Sequence, residues 1–162
     1  MMNSVLSTST WVLIIVGIVL FGGIFLFGGR KGKKKSANKP ETVIPLTIQA
    51  FERLVLYLER IRFSVLVKRV FMPGMSRTDL QFALIQNIQD EFEHNLAQRL
   101  YVSEEIWMMV VLTKDEVLKG VNEAFGANPE ADAATMAQLL ASKSNTYIDR
   151  TVIAIKKEFN EF

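Results

Sequence analysis

The chain of 162 residues has no cysteine, a single histidine and four prolines. Without cysteine there is no disulfide scaffold, no Cys-ligated zinc site, no CxxC redox pair and no thiol nucleophile. With one histidine, a metal site built on two imidazoles is excluded as well. Residues 1–40 have no Asp or Glu, yet carry six of the 19 Lys/Arg. The remaining 122 residues hold 13 basic and all 17 acidic groups, a net of −4. The formal +2 of the whole chain therefore averages two unlike pieces, and 122 residues suffice for one hydrophobic core.

What the N-terminal piece does have is an apolar run. Trp11 to Phe27 is seventeen residues without a charge: thirteen Val, Leu, Ile or Phe, three Gly and one Trp. At about 1.5 Å per residue, Thr8 to Gly28 as a helix covers about 30 Å, the thickness of a bilayer's hydrocarbon core. Thirteen large apolar side chains favour insertion by about 5 kcal/mol. A cleaved signal peptide would need a basic start, a shorter apolar stretch and a small-residue cleavage site, and none is present. Positive residues stay on the cytoplasmic face, and here they follow the run as Arg30, Lys31, Lys33, Lys34, Lys35 and Lys39. The expectation is a transmembrane anchor over 1–29 with its N-terminus outside, a polybasic linker over 30–45 and a cytoplasmic domain over 46–162. Arg30, Lys31, Lys33, Lys34 and Lys35 could also meet anionic lipid headgroups, although a stop-transfer signal explains them more simply. Gly17, Gly22, Gly23 and Gly28 show no GxxxG spacing among themselves, and Gly28 to Ser36 fails the spacing of a phosphate loop.

Beyond the linker, Gly and Pro are confined to a few positions and no segment alternates apolar with polar residues, so no strand is expected. The spacing predicts a helix over about Leu46–Ile61, with Ile48, Phe51, Val55 and Leu58 on one face. Ser64 is placed to cap a second helix running to Phe71. After Pro73-Gly74, Ser76 with Asp79 resembles a capping box opening a long helix to about Val102. Ser103 caps a fourth helix to about Lys119, with Glu104 and Glu105 in its first turn. Asp132 begins the C-terminal part, which a weak break at Ser142–Asn145 divides. Ile148, Val152, Ile155, Phe159 and Phe162 follow a four-three repeat suited to a bundle seam. The fold class expected is all-α: the membrane helix, then a bundle of about five or six helices.

Chemistry is sparse. Carboxylates gather around the imidazole only at Asp90-Glu91-Phe92-Glu93-His94, and Glu91-x-x-His94 has the spacing of di-iron carboxylate bundles. That site needs a second ExxH, which a single His cannot provide, and His94 falls away from the main apolar line. A surface His beside Asp90 or Glu91 is the simpler reading. Asn87, Glu91, His94 and Gln98 form a candidate polar contact face on the long helix; less economically, Glu91 and His94 are the core of a metal-binding or enzymatic module. There is no GxSxG elbow, no EF-hand loop and no nominated nucleophile. The domain is net acidic with scattered cations, which argues against nucleic acid. No cofactor, metal or catalytic residue is implied. The run Ile106–Leu112 is apolar all round, so it is either a helix buried on two sides or a docking face centred on Trp107, Met108 and Val111. Partners expected are membrane lipid and a protein partner or a second copy.

Leu58-Glu59-Arg60-Ile61, Pro73-Gly74-Met75-Ser76, Glu91-Phe92-Glu93-His94-Asn95-Leu96 and Tyr101-Val102-Ser103 followed by Trp107 resemble a family of small membrane-anchored helical proteins from Bacteroidota. The resemblance runs from the N-terminal span to about Val121. It implies an anchored helical domain at a bacterial inner membrane and supplies no catalytic residue.

Overall fold

The computed structural model describes residues 43–161, which lie within a unit running from Pro40 to Phe162. The expected span, the cluster Arg30 to Lys35 and most of the linker lie outside the described residues. Among the described residues no helix is long and apolar enough to cross a membrane.

Six α-helices and one short 3-10 turn make up these residues, and no strand occurs among them. Helix α1 spans Val43–Arg60, α2 Phe63–Val70, α3 Arg77–Glu93, α4 Glu104–Ala127, α5 Ala133–Ser142 and α6 Thr146–Glu161. The 3-10 turn, Leu96–Leu100, joins α3 to α4. Three helix starts follow local capping chemistry. Ser76 accepts from the Asp79 amide, Ser103 from that of Ile106 and Asp132 from that of Thr135, each satisfying a donor that the first turn leaves free. Ser64 does not cap α2, which begins a residue earlier, at Phe63. Instead the Phe63 amide donates to Asn145 Oδ1 at 3.0 Å, a buried cap supplied from 82 residues away.

The helix expected to run from Arg77 to Val102 stops at Glu93. Asn95 Nδ2 donates to the Glu91 carbonyl at 2.8 Å and His94 Nδ1 lies 2.6 Å from the Asp90 carbonyl. The Asp90 carbonyl still accepts the His94 amide, but the Asn95 side chain takes the Glu91 carbonyl that a continuing helix would give to the Asn95 amide, which turns to the Phe92 carbonyl, and the chain tightens into the 3-10 turn. Conversely, α4 runs past Gly120 to Ala127. A Cβ at Gly120 would come 2.9 Å from Phe63 Cζ, so this glycine lets α2 approach and does not end the helix. Gly74, at φ 87°, is the described residue whose backbone needs glycine, in the turn before α3.

Around the bundle α1 packs on α6, α6 on α4, α4 on α3, α3 on α2 and α2 on α5. Leu54, Leu58, Leu66, Leu80, Leu84, Ile88, Leu140 and Ile148 are wholly buried in one continuous core. Each contributes about 2 kcal/mol by burial. Between α4 and α6 the hydroxyls of Thr113 and Thr151 pair at 2.7 Å, both buried. Two side chains tie helix ends across the bundle. Arg77 donates to the Phe125 and Asn128 carbonyls at the end of α4, where a cation meets the negative end of the helix dipole. Glu158 of α6 accepts from the Ser103 amide and hydroxyl at the start of α4, where an anion is favoured.

Candidate functional site

The last turn of α3 faces α1 and α2. Glu91, with a side chain 14% exposed, accepts on one oxygen from Arg60 Nε at 2.9 Å and from an Arg69 guanidinium nitrogen at 2.6 Å. Arg69 also reaches the Arg60 carbonyl at 3.4 Å. One carboxylate thus holds two guanidinium groups, and without it two like charges would face each other.

Beside this triad opens a cavity of about 400 Å³ lined by Arg53, Leu56, Tyr57, Arg60, Glu91, His94 and Asn95. Arg53 and Arg60 reach it because residues seven apart, two helical turns, share a face of α1, with Leu56 between them. The Tyr57 hydroxyl is buried and unpartnered, and burial first, then Asp115 and Glu91, pushes it above the ordinary phenol value. It therefore stays neutral at physiological pH and is no general base.

The four residues expected to form one polar face do not do so. Glu91 and His94 share the cavity, but Glu91 is committed to Arg60 and Arg69, and His94 caps the end of α3 through a backbone carbonyl and not through a carboxylate. Asn87 lies on α3 with its Oδ1 buried and unpartnered. Gln98 sits in the 3-10 turn and is buried, because the helix that would have aligned it with Glu91 has already ended. Among the described residues no three His, Asp or Glu side chains gather as a metal ion would require.

The docking face on α4 is also redistributed. Trp107 is 6% exposed and stacks on Phe92 with ring centroids 5.6 Å apart; Phe92 in turn meets Tyr57 at 6.1 Å. Lys114 Nζ lies 4.6 Å from the centre of the Phe92 ring. Trp107 thus belongs to an aromatic core centred on Phe92 and is withdrawn from the surface. Val111 is half-buried against the same core. Met108 stays exposed, and Leu112, one turn on, is equally so at 57%.

A second concavity was not foreseen in the sequence. Between α1 and α6 lies an open, mostly apolar groove of about 440 Å³ lined by Phe51, Glu52, Val55, Leu56, Ile155, Lys156 and Phe159. Phe51 and Phe159 meet edge to face at 5.8 Å on its floor. The signal for the cavity was the row Arg53, Leu56 and Arg60 at three- and four-residue steps along one face of α1; of these, Leu56 alone also lines the groove.

These features define a class: an all-helical bundle with surface concavities and no assembled nucleophile, base or metal set among its described residues. Within that class the chain belongs to a family of unknown function (DUF7935), whose model matches residues 4–162. No curated protein and no solved structure matches it.

Proposed function

We propose that this protein is a membrane-anchored interaction component, held by a single N-terminal span with its helical domain on the cytoplasmic side of a bacterial inner membrane. The observation that carries this reading is the uncharged run Trp11–Phe27, preceded by no Lys or Arg side chain and followed at once by Arg30 to Lys39. Anchoring of this kind suits a protein that works by meeting something at the membrane. The resemblance to Bacteroidota proteins supports the bacterial setting.

The exposed pair Met108 and Leu112 on α4 supports a contact with a protein partner or a second copy. Two large apolar side chains one turn apart, each more than half exposed, form the solvent-facing part of the run first noticed in the sequence. Met108→Glu leaves the core untouched, so the full chain carrying it should stay folded and helical while losing its co-purifying partner. Unchanged co-purification would remove Met108 from the contact.

A further inference from the structure

The groove between α1 and α6 and the cavity at the end of α3 share Leu56, which is 62% exposed. On the groove side the walls are Phe51, Val55, Ile155 and Phe159, with the opposite charges of Glu52 and Lys156 at its edges. The cavity side is cationic. Arg53 is exposed and has no hydrogen bond or ion pair among the described residues. Arg60 gives only its Nε to Glu91, leaving its two terminal nitrogens for another acceptor. Arg53, Arg60 and Arg69 against Glu91 leave a local charge of +2. This contrasts with the rest of the domain: residues 43–77 carry six basic and two acidic groups, whereas residues 78–161 carry seven basic and 14 acidic. Cations are concentrated where the apolar groove ends.

We propose that the two concavities together bind one anionic phospholipid, its phosphate held by Arg53 and Arg60 and an acyl chain laid along Val55, Leu56 and Phe159. Guanidinium forks match phosphate oxygens, and an acyl chain removes from water the apolar surface that the bundle leaves open. A free phosphate would use only the cavity, and a zwitterionic lipid would bring a cation to an already cationic wall. The choice of a lipid rests on the anchor reading above. Residues 28–42 are fifteen, a tether of at most about 50 Å when fully extended, so the domain stays within reach of the leaflet that would supply the lipid.

The test uses the full chain in phosphatidylcholine nanodiscs doped either with an acyl-photoactivatable phosphatidylglycerol or, at the same fraction, with photoactivatable phosphatidylcholine. Cross-linked peptides are mapped by mass spectrometry. Both lipids should label residues 11–27 alike. Phosphatidylglycerol should label the peptides carrying Phe51–Leu56 and Ile155–Phe159 about tenfold more than phosphatidylcholine does, a gap that Arg53→Gln should close. Arg53 is exposed and unpaired, so this variant should melt with the wild type. Equal labelling of the groove by the two lipids, no labelling there, or labelling indifferent to Arg53→Gln would overturn the proposal. Displacement of the groove label by inorganic phosphate would assign the cavity to a free anion and overturn it too. Labelling lost from the groove alone counts against this site; labelling lost from residues 11–27 alone counts against the anchor.

Discussion

Two aromatic clusters in this domain have much the same chemistry and opposite fates. Tyr57, Phe92 and Trp107 come from three helices and close on one another, so that Trp107 is almost wholly buried. Phe51 and Phe159 come from two helices and meet edge to face; Phe51 is as buried as Trp107, and the exposed ring is Phe159, at 44%. A third helix makes the difference. Where α4 covers the α1–α3 seam, the rings are enclosed; at the α1–α6 seam Phe159 keeps much of its area at the surface.

That contrast predicts a graded series of losses. Trp107→Ala should cost about 3–5 kcal/mol, because a buried ring is lost and the stacked Phe92 keeps a void. Chemical denaturation should show a sharply lower midpoint, and a loss below about 1 kcal/mol would mean that Trp107 is not in the closed centre. Asn145→Ala should cost about 1–2 kcal/mol, since the buried Phe63 amide then has no acceptor. Hydrogen exchange at that amide should accelerate in the variant if the cap is real. Phe159→Ala should cost about 1 kcal/mol, its share of an edge-to-face pair on an open groove. A cost as large as that of Trp107→Ala would show the groove to be closed.

The smallest effect lies between Leu56 and a pair of glycines. Leu56→Ser should move stability by less than about 0.5 kcal/mol, as expected for a surface side chain. Gly126→Ala, with open space around the added methyl, should stabilise α4 by about 0.5–1 kcal/mol. Gly120→Ala should destabilise it, since the new methyl meets the Phe63 ring at 2.9 Å. Opposite signs at two glycines of one helix would confirm that α2 lies against Gly120. The Asp132 cap adds a pH-dependent component. The Thr135 amide and hydroxyl hold its carboxyl below the usual value. A depressed carboxyl stabilises the fold above its unfolded pKa of about 4 and loses that contribution as pH falls through the lower folded value. The stability gap between the wild type and Asp132→Ala should therefore narrow below about pH 4.

What was legible in the sequence was local. Ser76, Ser103 and Asp132 announce helix starts because a cap needs only its own first turn. The helical class and the division near Ser142–Asn145 follow from breakers and periodicity in the same way. What escaped was set by residues distant in sequence or by side chains competing for backbone. Asn145 caps Phe63 from the far end of the chain, and Glu91 finds Arg60 and Arg69 on two other helices. The run Ile106–Leu112 is apolar on every side, so nothing within it says that Trp107 faces inward and Met108 outward; Phe92 and Tyr57 decide that. The end of α3 was within reach, since Asn95 is a residue that takes carbonyls from a helix, but the capping box at Ser76 made a longer helix look natural. Of the candidate site, Glu91 and His94 are legible as polar residues near the end of α3, but the partners of Glu91 are not, and Arg53, Leu56 and Arg60 lie off the apolar line of Ile48, Phe51, Val55 and Leu58 with nothing local to set them apart.

The anchor is the claim on which the functional reading depends, and sealed spheroplasts test it most directly. With protease outside and the outer membrane removed, the account predicts that residues 43–161 survive intact in the membrane pellet and are digested only after the membrane is permeabilised. Digestion of the domain in unbroken spheroplasts, or its recovery at full length in the high-speed supernatant, would contradict it.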